Sequence, residues 1–537
     1  MTIQKLHIKK VMFNQDGTAV SFMEWAVAMA VFQNIIGNVV SFYLTLGTQI
    51  PMVRWGVNWT VNGILFLLVG SCFVICSGSK RTKIIAMLWT LFVVGIYVGA
   101  VFVHPAYIAE TVKECLVLIL QGGTLAMIAW LFYMRVVLLE RVFYKAIIAG
   151  AFLQPVYSGM IITFFRRTST DTDNFGTITY LEIAYSALTL LTIIFYYFGW
   201  ASSAMQKGRK MLLVVAALEL LISSVTIGVS GSRGALVGVA FLLISLFVMG
   251  WFFKGSRKLW LLIFFSGISV VVAYNSMPET SVSKIRVEND YTHYEDTLTP
   301  EQLKKQEEAS KFPPKTEGEF LPGKQPSEDE VLFTIGDGRE VVAKKLPDGI
   351  TKTLCDKIGV NQQLLSIFYE NSWEIGGMGE LAYSMRDSLE KDTAYGKELG
   401  EAVYSVTNGS AFRLYLWMAA VYELEMNHGK GMAPFGYHLK YNNYAHNIWV
   451  EAYAEFGVIG GTIFLFITLL VLGCAIWEGR KKKENAYFLA FIAMCFTQLF
   501  LSGNLYGDRW LCFLIATGAV SIYTWKKNSC RKVEVSS

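Results

Sequence analysis

Arg413, Trp417 and the pair His446-Asn447 are the residues of this chain best equipped for chemistry. A guanidinium stays protonated and offers a planar fork of donors to carboxylate or phosphate oxygens. Trp417 follows Arg413 by four residues, one helical turn on the same face. Two readings fit that pair. One is a structural cation–π or interfacial pair. The other is a guanidinium offered to an anion beside an aromatic shelf for a sugar. His446 carries the side chain best suited to accept a proton near neutral pH, although a lone histidine at a membrane boundary also serves structurally. Glu451 and Glu455 follow it on the same expected helix. The intervening loop, NHGKGMAPFGYH, contains Gly429, Gly431 and Gly436. Glycines there suit a backbone that approaches a ligand closely or turns tightly. A second short stretch, Ser230-Gly231-Ser232-Arg233-Gly234, is a tight turn of small residues around an arginine. That setting favours a binding role for Arg233 over a boundary anchor.

The elements that must position these residues are apolar. The 537 residues are 53% apolar and 17% charged, and the mean hydropathy is +0.41. Soluble proteins carry about 25% charged residues. The expected fold is therefore an all-α polytopic membrane protein with a soluble insert. A bilayer core needs about 20 apolar residues per helix. Candidate spans fall near 21–46, 58–78, 84–103, 114–134, 143–164, 178–199, 211–230, 234–252, 259–275, 447–476, 486–504 and 509–525, twelve in all.

Basic residues sort by side. One set of alternate connections holds Lys9 and Lys10, Lys80 to Lys83, Arg135 to Lys145, Lys207 to Lys210, Lys254 to Lys258, Arg480 to Lys483, and Lys526 to Lys532. The other holds only Arg54, Lys113, Arg166, Arg167, Arg233 and Arg509. The positive-inside rule makes the first set cytoplasmic and places both termini inside. The N-terminus has no signal-peptide core and reads as a cytoplasmic leader. The expected organisation is 1–275 with nine spans, an extracytoplasmic loop at 276–446, and 447–537 with three spans and a basic tail. Arg233, Arg413, His446 and Arg509, at the mouth of the last span, then share the outer face.

Within the loop, 276–349 is rich in Glu, Lys, Pro and Gly and reads as flexible or irregular. The run VLFTIGDGREVVAKKLPDG fits a hairpin around Gly336-Asp337-Gly338. Residues 350–446 read as mainly helical. Leu364, Leu365, Ile367, Phe368, Leu381, Tyr383 and Leu389 form apolar stripes, and Ser410 stands where it could cap a helix over 411–427. The stripe Phe412, Tyr415, Leu416, Ala419 and Ala420 reads as packing. The eight cysteines form no CxxC and no paired framework, so neither zinc nor disulfides are suggested. No metal-ligand spacing, nucleotide-binding glycine loop or GxSxG elbow occurs. No cofactor, metal or nucleic-acid partner is expected.

These motifs resemble the O-antigen ligase and O-antigen polymerase family of bacterial membrane glycosyltransferases. The likeness rests on SGSRG at a membrane turn, a large outer loop ending in an Arg-xxx-Trp helix, a Gly-rich loop, and His-Asn-xxx-Glu-xxx-Glu-xGly-xxGly. It covers the topology of the whole chain and the motifs at 230–234, 410–461 and 502–510. Phe412 stands before Arg413 where the family often has glycine, and the insert is long and acidic. The resemblance implies about a dozen spans and a donor glycan on undecaprenyl diphosphate. By the same resemblance Arg233 and Arg413 hold the diphosphate and His446 acts on the acceptor. Trp417, Gly431, Asn447, Glu451 and Arg509 are the further substrate-binding candidates. A polymerase joins lipid-linked repeat units. A ligase moves a finished glycan to a lipid, protein or polymer acceptor. The long insert favours the polymerase. A reading from another class is a transporter of lipid-linked glycans, for which Glu182 and Glu219 are mid-membrane acids. Membrane lipid and other polysaccharide assembly proteins are the remaining expected partners, and the bacterial cytoplasmic membrane is the expected location.

Overall fold

The computed structural model describes residues 18–35, 51–76, 80–105, 108–133, 142, 145, 174–175, 178–200, 210–230, 232–252, 257–277, 330–334, 340–372, 377–386, 402–403, 406, 411–481, 499–500, 503, 505–506 and 511–519. Among them the chain is mainly α-helical. In chain order the first helices are α1 (Thr18–Ile35), α2 (Pro51–Cys76), α3 (Lys80–Val103), α4 (Ile108–Val117) and α5 (Gly123–Tyr133), the last two joined by a π-helical turn at Leu118–Gly122. Next come α6 (Tyr180–Trp200), α7 (Lys210–Ser230), α8 (Arg233–Phe252) and α9 (Arg257–Asn275). A two-strand ribbon, β1 (Asn174–Phe175) with β2 (Ile178–Thr179), precedes α6.

These helices lie on the expected apolar segments. Among the described residues two stretches, Thr111–Phe132 and Ile448–Cys474, are long and apolar enough to cross a membrane, and shorter apolar stretches such as Trp59–Ile75 and Val214–Ser230 accompany them. The segment 143–164 lies outside the described residues except at 145, and so does most of 486–504. Apolar helices satisfy their own backbone, and their hydroxyls join in. Thr60, Ser71 and Ser269 each donate to the carbonyl four residues back at 2.7 Å. Helices α6, α7, α8 and α9 pack together. At the α7–α9 crossing a Cβ on Gly228 would sit 2.5 Å from the Val270 carbonyl, so glycine permits the approach. Ser224 and Ser266 share a hydrogen bond of 2.9 Å at the same crossing. Lys145, one of the residues counted among the basic flanks, is buried in an ion pair with Glu24 of α1.

The polar insert contains a second core. Strands β3 (Glu330–Thr334) and β4 (Glu340–Lys344) pair antiparallel from Glu330↔Lys344 to Thr334↔Glu340, which is the expected hairpin. Most of the preceding acidic stretch lies outside the described residues. Helices α10 (Ile350–Ile358), α11 (Gln362–Asn371), α12 (Met378–Arg386), α13 (Phe412–Met426) and α14 (Gly436–Tyr441) follow, and α15 (Ile448–Lys481) re-enters the apolar region. Leu364, Leu365, Ile367, Phe368 and Leu381 are buried in this core, as their spacing predicts. No side chain is described for Tyr383, and Leu389 lies outside the description. Glu425 joins α13 to α10, accepting from the N–H of Ile350 at 2.8 Å and of Thr351 at 2.9 Å. A carboxylate there answers the unpaired amides of a helix start.

Candidate active site

α13 begins at Phe412 with Ala411 at its N-cap, and Ser410 lies outside the described residues. Tyr415, Leu416, Ala419 and Ala420 are buried in the insert core, and Phe412 is half-buried. This leaves Arg413 and Trp417 half-buried on the neighbouring stripe. The Trp417 indole N–H donates to the Ala445 carbonyl at 2.7 Å. The arginine helix is thereby tied to the residue just before His446, and the indole nitrogen is committed within the protein.

The fold brings Arg413 and His446 together. Burial, and then the Arg413 guanidinium, push the His446 imidazole down to about 3. It is therefore neutral at physiological pH. Its Nδ1 is buried with no hydrogen-bond partner, and its ring packs on Tyr444 with centroids 4.2 Å apart. The unpartnered Nδ1 leaves one acceptor open to an arriving hydroxyl, while burial and Arg413 weaken the ring as a base. His446 also holds a left-handed backbone, φ 55°. Among the described residues every non-glycine with positive φ lies in this stretch: His428, Ala433, Phe435, Asn442 and His446. Such strain gathers where the surrounding structure enforces it, often at functional sites.

The remaining candidates divide. Asn447 was expected on substrate, but its side-chain oxygen accepts from the N–H of Trp449 at 3.0 Å and of Val450 at 3.2 Å. It caps α15. Gly431 was expected to let backbone approach a ligand. The close approach is to α15 instead, since a Cβ on Gly431 would sit 2.0 Å from the Glu455 carbonyl oxygen. Glu451 accepts from the Leu505 N–H at 3.3 Å, is not bonded to His446, and keeps its Oε1 buried without a partner.

Arg233 opens α8, directly after the turn from α7. The flanking serines build that turn. The Ser230 hydroxyl donates to the Ile227 carbonyl at 2.8 Å and accepts from the Ser232 N–H at 3.2 Å, and the Ser232 hydroxyl accepts from the Ala235 N–H at 3.3 Å. The Arg233 side chain and all of Arg509 lie outside the described residues. The structure thus brings Arg413, Trp417, His446 and Asn447 together, sets Gly431 against Glu455 and Glu451 against Leu505, and describes no side-chain geometry for the other two arginines.

Several polar groups around Gly436 escaped the sequence reading. A Cβ on Gly436 would lie 3.4 Å from His104 Nε2, a buried nitrogen with no partner. His438 Nδ1 and the Tyr97 hydroxyl are likewise buried and unpartnered. Burial lowers the His104 imidazole, and burial followed by Lys113 lowers that of His438. For His104 the one visible signal was position, in a short connection assigned to the outer side. Among the described residues no group of three or more His, Cys, Asp or Glu could hold a metal ion. Comparison with family models, with known proteins and with solved structures finds no match to this chain.

Proposed function

We propose that this chain is an integral membrane glycosyltransferase acting on the extracytoplasmic face of a bacterial cytoplasmic membrane. It transfers a glycan from undecaprenyl diphosphate to an acceptor hydroxyl. The observation that carries the reading is the nearness of Arg413 to a neutral His446 whose Nδ1 has no hydrogen-bond partner, at the point where a polar helical module meets an apolar helix. The outward apolar faces, with Phe102 81%, Ile459 78% and Trp251 74% exposed, also suit a lipid surround. The proposed topology has twelve spans and both termini inside.

In this scheme the acceptor oxygen attacks the anomeric carbon and its proton passes to the His446 imidazole. The bond from that carbon to the diphosphate oxygen breaks, and undecaprenyl diphosphate leaves with the electron pair. Arg413, with Arg233 as its proposed partner, neutralises the charge growing on the leaving oxygens. A single displacement inverts the anomeric centre. Neither metal nor cofactor is required. Polymerisation of surface repeat units is the favoured reaction, with ligation of finished glycan as the alternative.

One observation favours transport instead. Glu219 lies buried in α7 with both carboxylate oxygens unpartnered, and an ionisable group inside an apolar helix commonly marks a transport path. Complementation separates the readings. In cells lacking this protein, His446→Ala and Arg413→Ala at matched membrane abundance should shorten or abolish surface glycan on a gel ladder, with lipid-linked units accumulating on the outer face. Accumulation on the inner face would favour transport, and wild-type ladders would overturn the site.

A further inference from the structure

Three segments far apart in sequence meet on one buried carboxylate. Glu455, on α15, is 1% exposed. Its Oε2 accepts from the Phe435 N–H at 2.9 Å and from the Tyr506 hydroxyl. The same Phe435 N–H also reaches the Tyr506 oxygen at 3.2 Å. The Phe435 ring stacks on the Tyr506 ring with centroids 4.0 Å apart and planes 20° apart, while Phe435 holds a φ of 67°. One turn earlier, Glu451 takes the Leu505 N–H.

A break in α15 completes the arrangement. Gly457 leaves the helical conformation at φ 72°, ψ −176°. In an unbroken helix the Val458 N–H would donate to the Ala454 carbonyl. Here the Val458 N–H donates to the Gly429 carbonyl at 3.0 Å, and the Ala454 carbonyl accepts from the Met432 N–H at 2.9 Å. The glycine-rich loop is thus inserted into the helix ladder directly behind Glu455.

We propose that Glu455 is a positioning residue. Its carboxyl group locks the glycine-rich loop and the Leu505–Tyr506 turn onto the helix that begins beside His446. The lock holds the glycine-rich loop and the Leu505–Tyr506 turn in one frame with the start of α15, beside His446. A carboxyl group suits the task because one of its oxygens can accept from a backbone amide and a hydroxyl at once, and buried hydrogen-bond networks rigidify their surroundings. The catalytic consequence rests on the glycosyltransferase reading; the lock itself does not.

The test uses the full chain in lipid nanodiscs, with hydrogen exchange over 429–437 and 503–506 and steady-state kinetics on an undecaprenyl-diphosphate-linked glycan. Glu455→Ala is expected to speed exchange in both segments and to lower kcat about 100-fold, the penalty of a small misplacement, with the donor KM unchanged. Glu455→Gln keeps an oxygen acceptor and should restore protection and most of kcat. Tyr506→Phe keeps the stacked ring and should fall between the two; if Glu455→Ala does not fold, it decides the question by the same readouts. Wild-type exchange in Glu455→Ala would overturn the lock. Protection restored by Glu455→Gln without recovery of kcat would overturn positioning and give the carboxylate a part in the chemistry. If the wild-type chain transfers no glycan, the functional reading fails, and the exchange measurement still decides the lock.

Discussion

Two sets of buried acids on neighbouring helices are treated in opposite ways. In the insert core Glu423 is fully engaged. Its Oε1 accepts from the Lys440 ammonium at 2.7 Å and the Tyr441 hydroxyl at 2.8 Å, and its Oε2 from the Asn427 amide at 3.4 Å. Lys440 also sits 3.6 Å from the centre of the Tyr369 ring. At the start of α15, Glu451 and Glu455 each keep one buried oxygen without a partner, and His446 keeps Nδ1. Completed networks of the first kind hold a scaffold together. The atoms left open at the second place are available to something that arrives, even where, as at Glu455, the other oxygen holds the fold.

The comparison breaks most readily at Glu423. Glu423→Ala leaves the Lys440 ammonium buried and unpaired, which should destabilise the chain by about 3–5 kcal/mol. Thermal unfolding in detergent measures it. An unchanged midpoint would mean that the pair is not scaffold. Next in size is Gly431→Ala. Its Cβ would meet backbone, which cannot swing aside as a side chain can, so the loop must lift from α15. The expected cost is about 1–3 kcal/mol, with faster proteolysis at 427–433 as the readout.

The pH response sharpens the contrast. The His446 imidazole lies well below its ordinary 6.5 in the folded chain. As pH falls, the unfolded chain therefore binds the proton first. Stability from this group is complete above pH 6.5 and is lost between 6.5 and about 3, by up to about 1.4 kcal/mol per pH unit. For the same reason kcat/KM should show no protonation step near pH 6.5. A step there would mean a solvated imidazole. The smallest effect belongs to Trp417→Phe, which keeps a ring but removes the hydrogen bond to Ala445. It should cost about 1 kcal/mol and leave the fold intact, as judged by unfolding in denaturant.

How legible these features were depends on how local they are. α13 was readable to within a residue or two at each end, because its apolar stripe repeats at helical spacing. The β3–β4 pairing was readable from the Gly336-Asp337-Gly338 signal between two apolar runs. Arg413 and His446 stood out by residue type and by the side of the membrane assigned to them. The glycines announced a close approach but not its object, so Gly431 read as facing a ligand when it faces Glu455. Asn447 beside His446 read as a ligand contact, although an asparagine before an apolar helix is equally a cap. The Glu423–Lys440 and Glu455–Tyr506 contacts pair residues from separate elements, and no local pattern selects the partner. The kink at Gly457 was hidden because a single glycine inside an apolar helix is ordinary.

The most direct test of the central claim is a transfer assay on purified protein in proteoliposomes. They would carry a radiolabelled undecaprenyl-diphosphate-linked glycan and an acceptor glycan on the outward-equivalent face. Wild type should release undecaprenyl diphosphate in step with product. His446→Ala should slow that release by about 100-fold to 10,000-fold, with the lipid donor still bound. Release at the wild-type rate from His446→Ala would contradict the account.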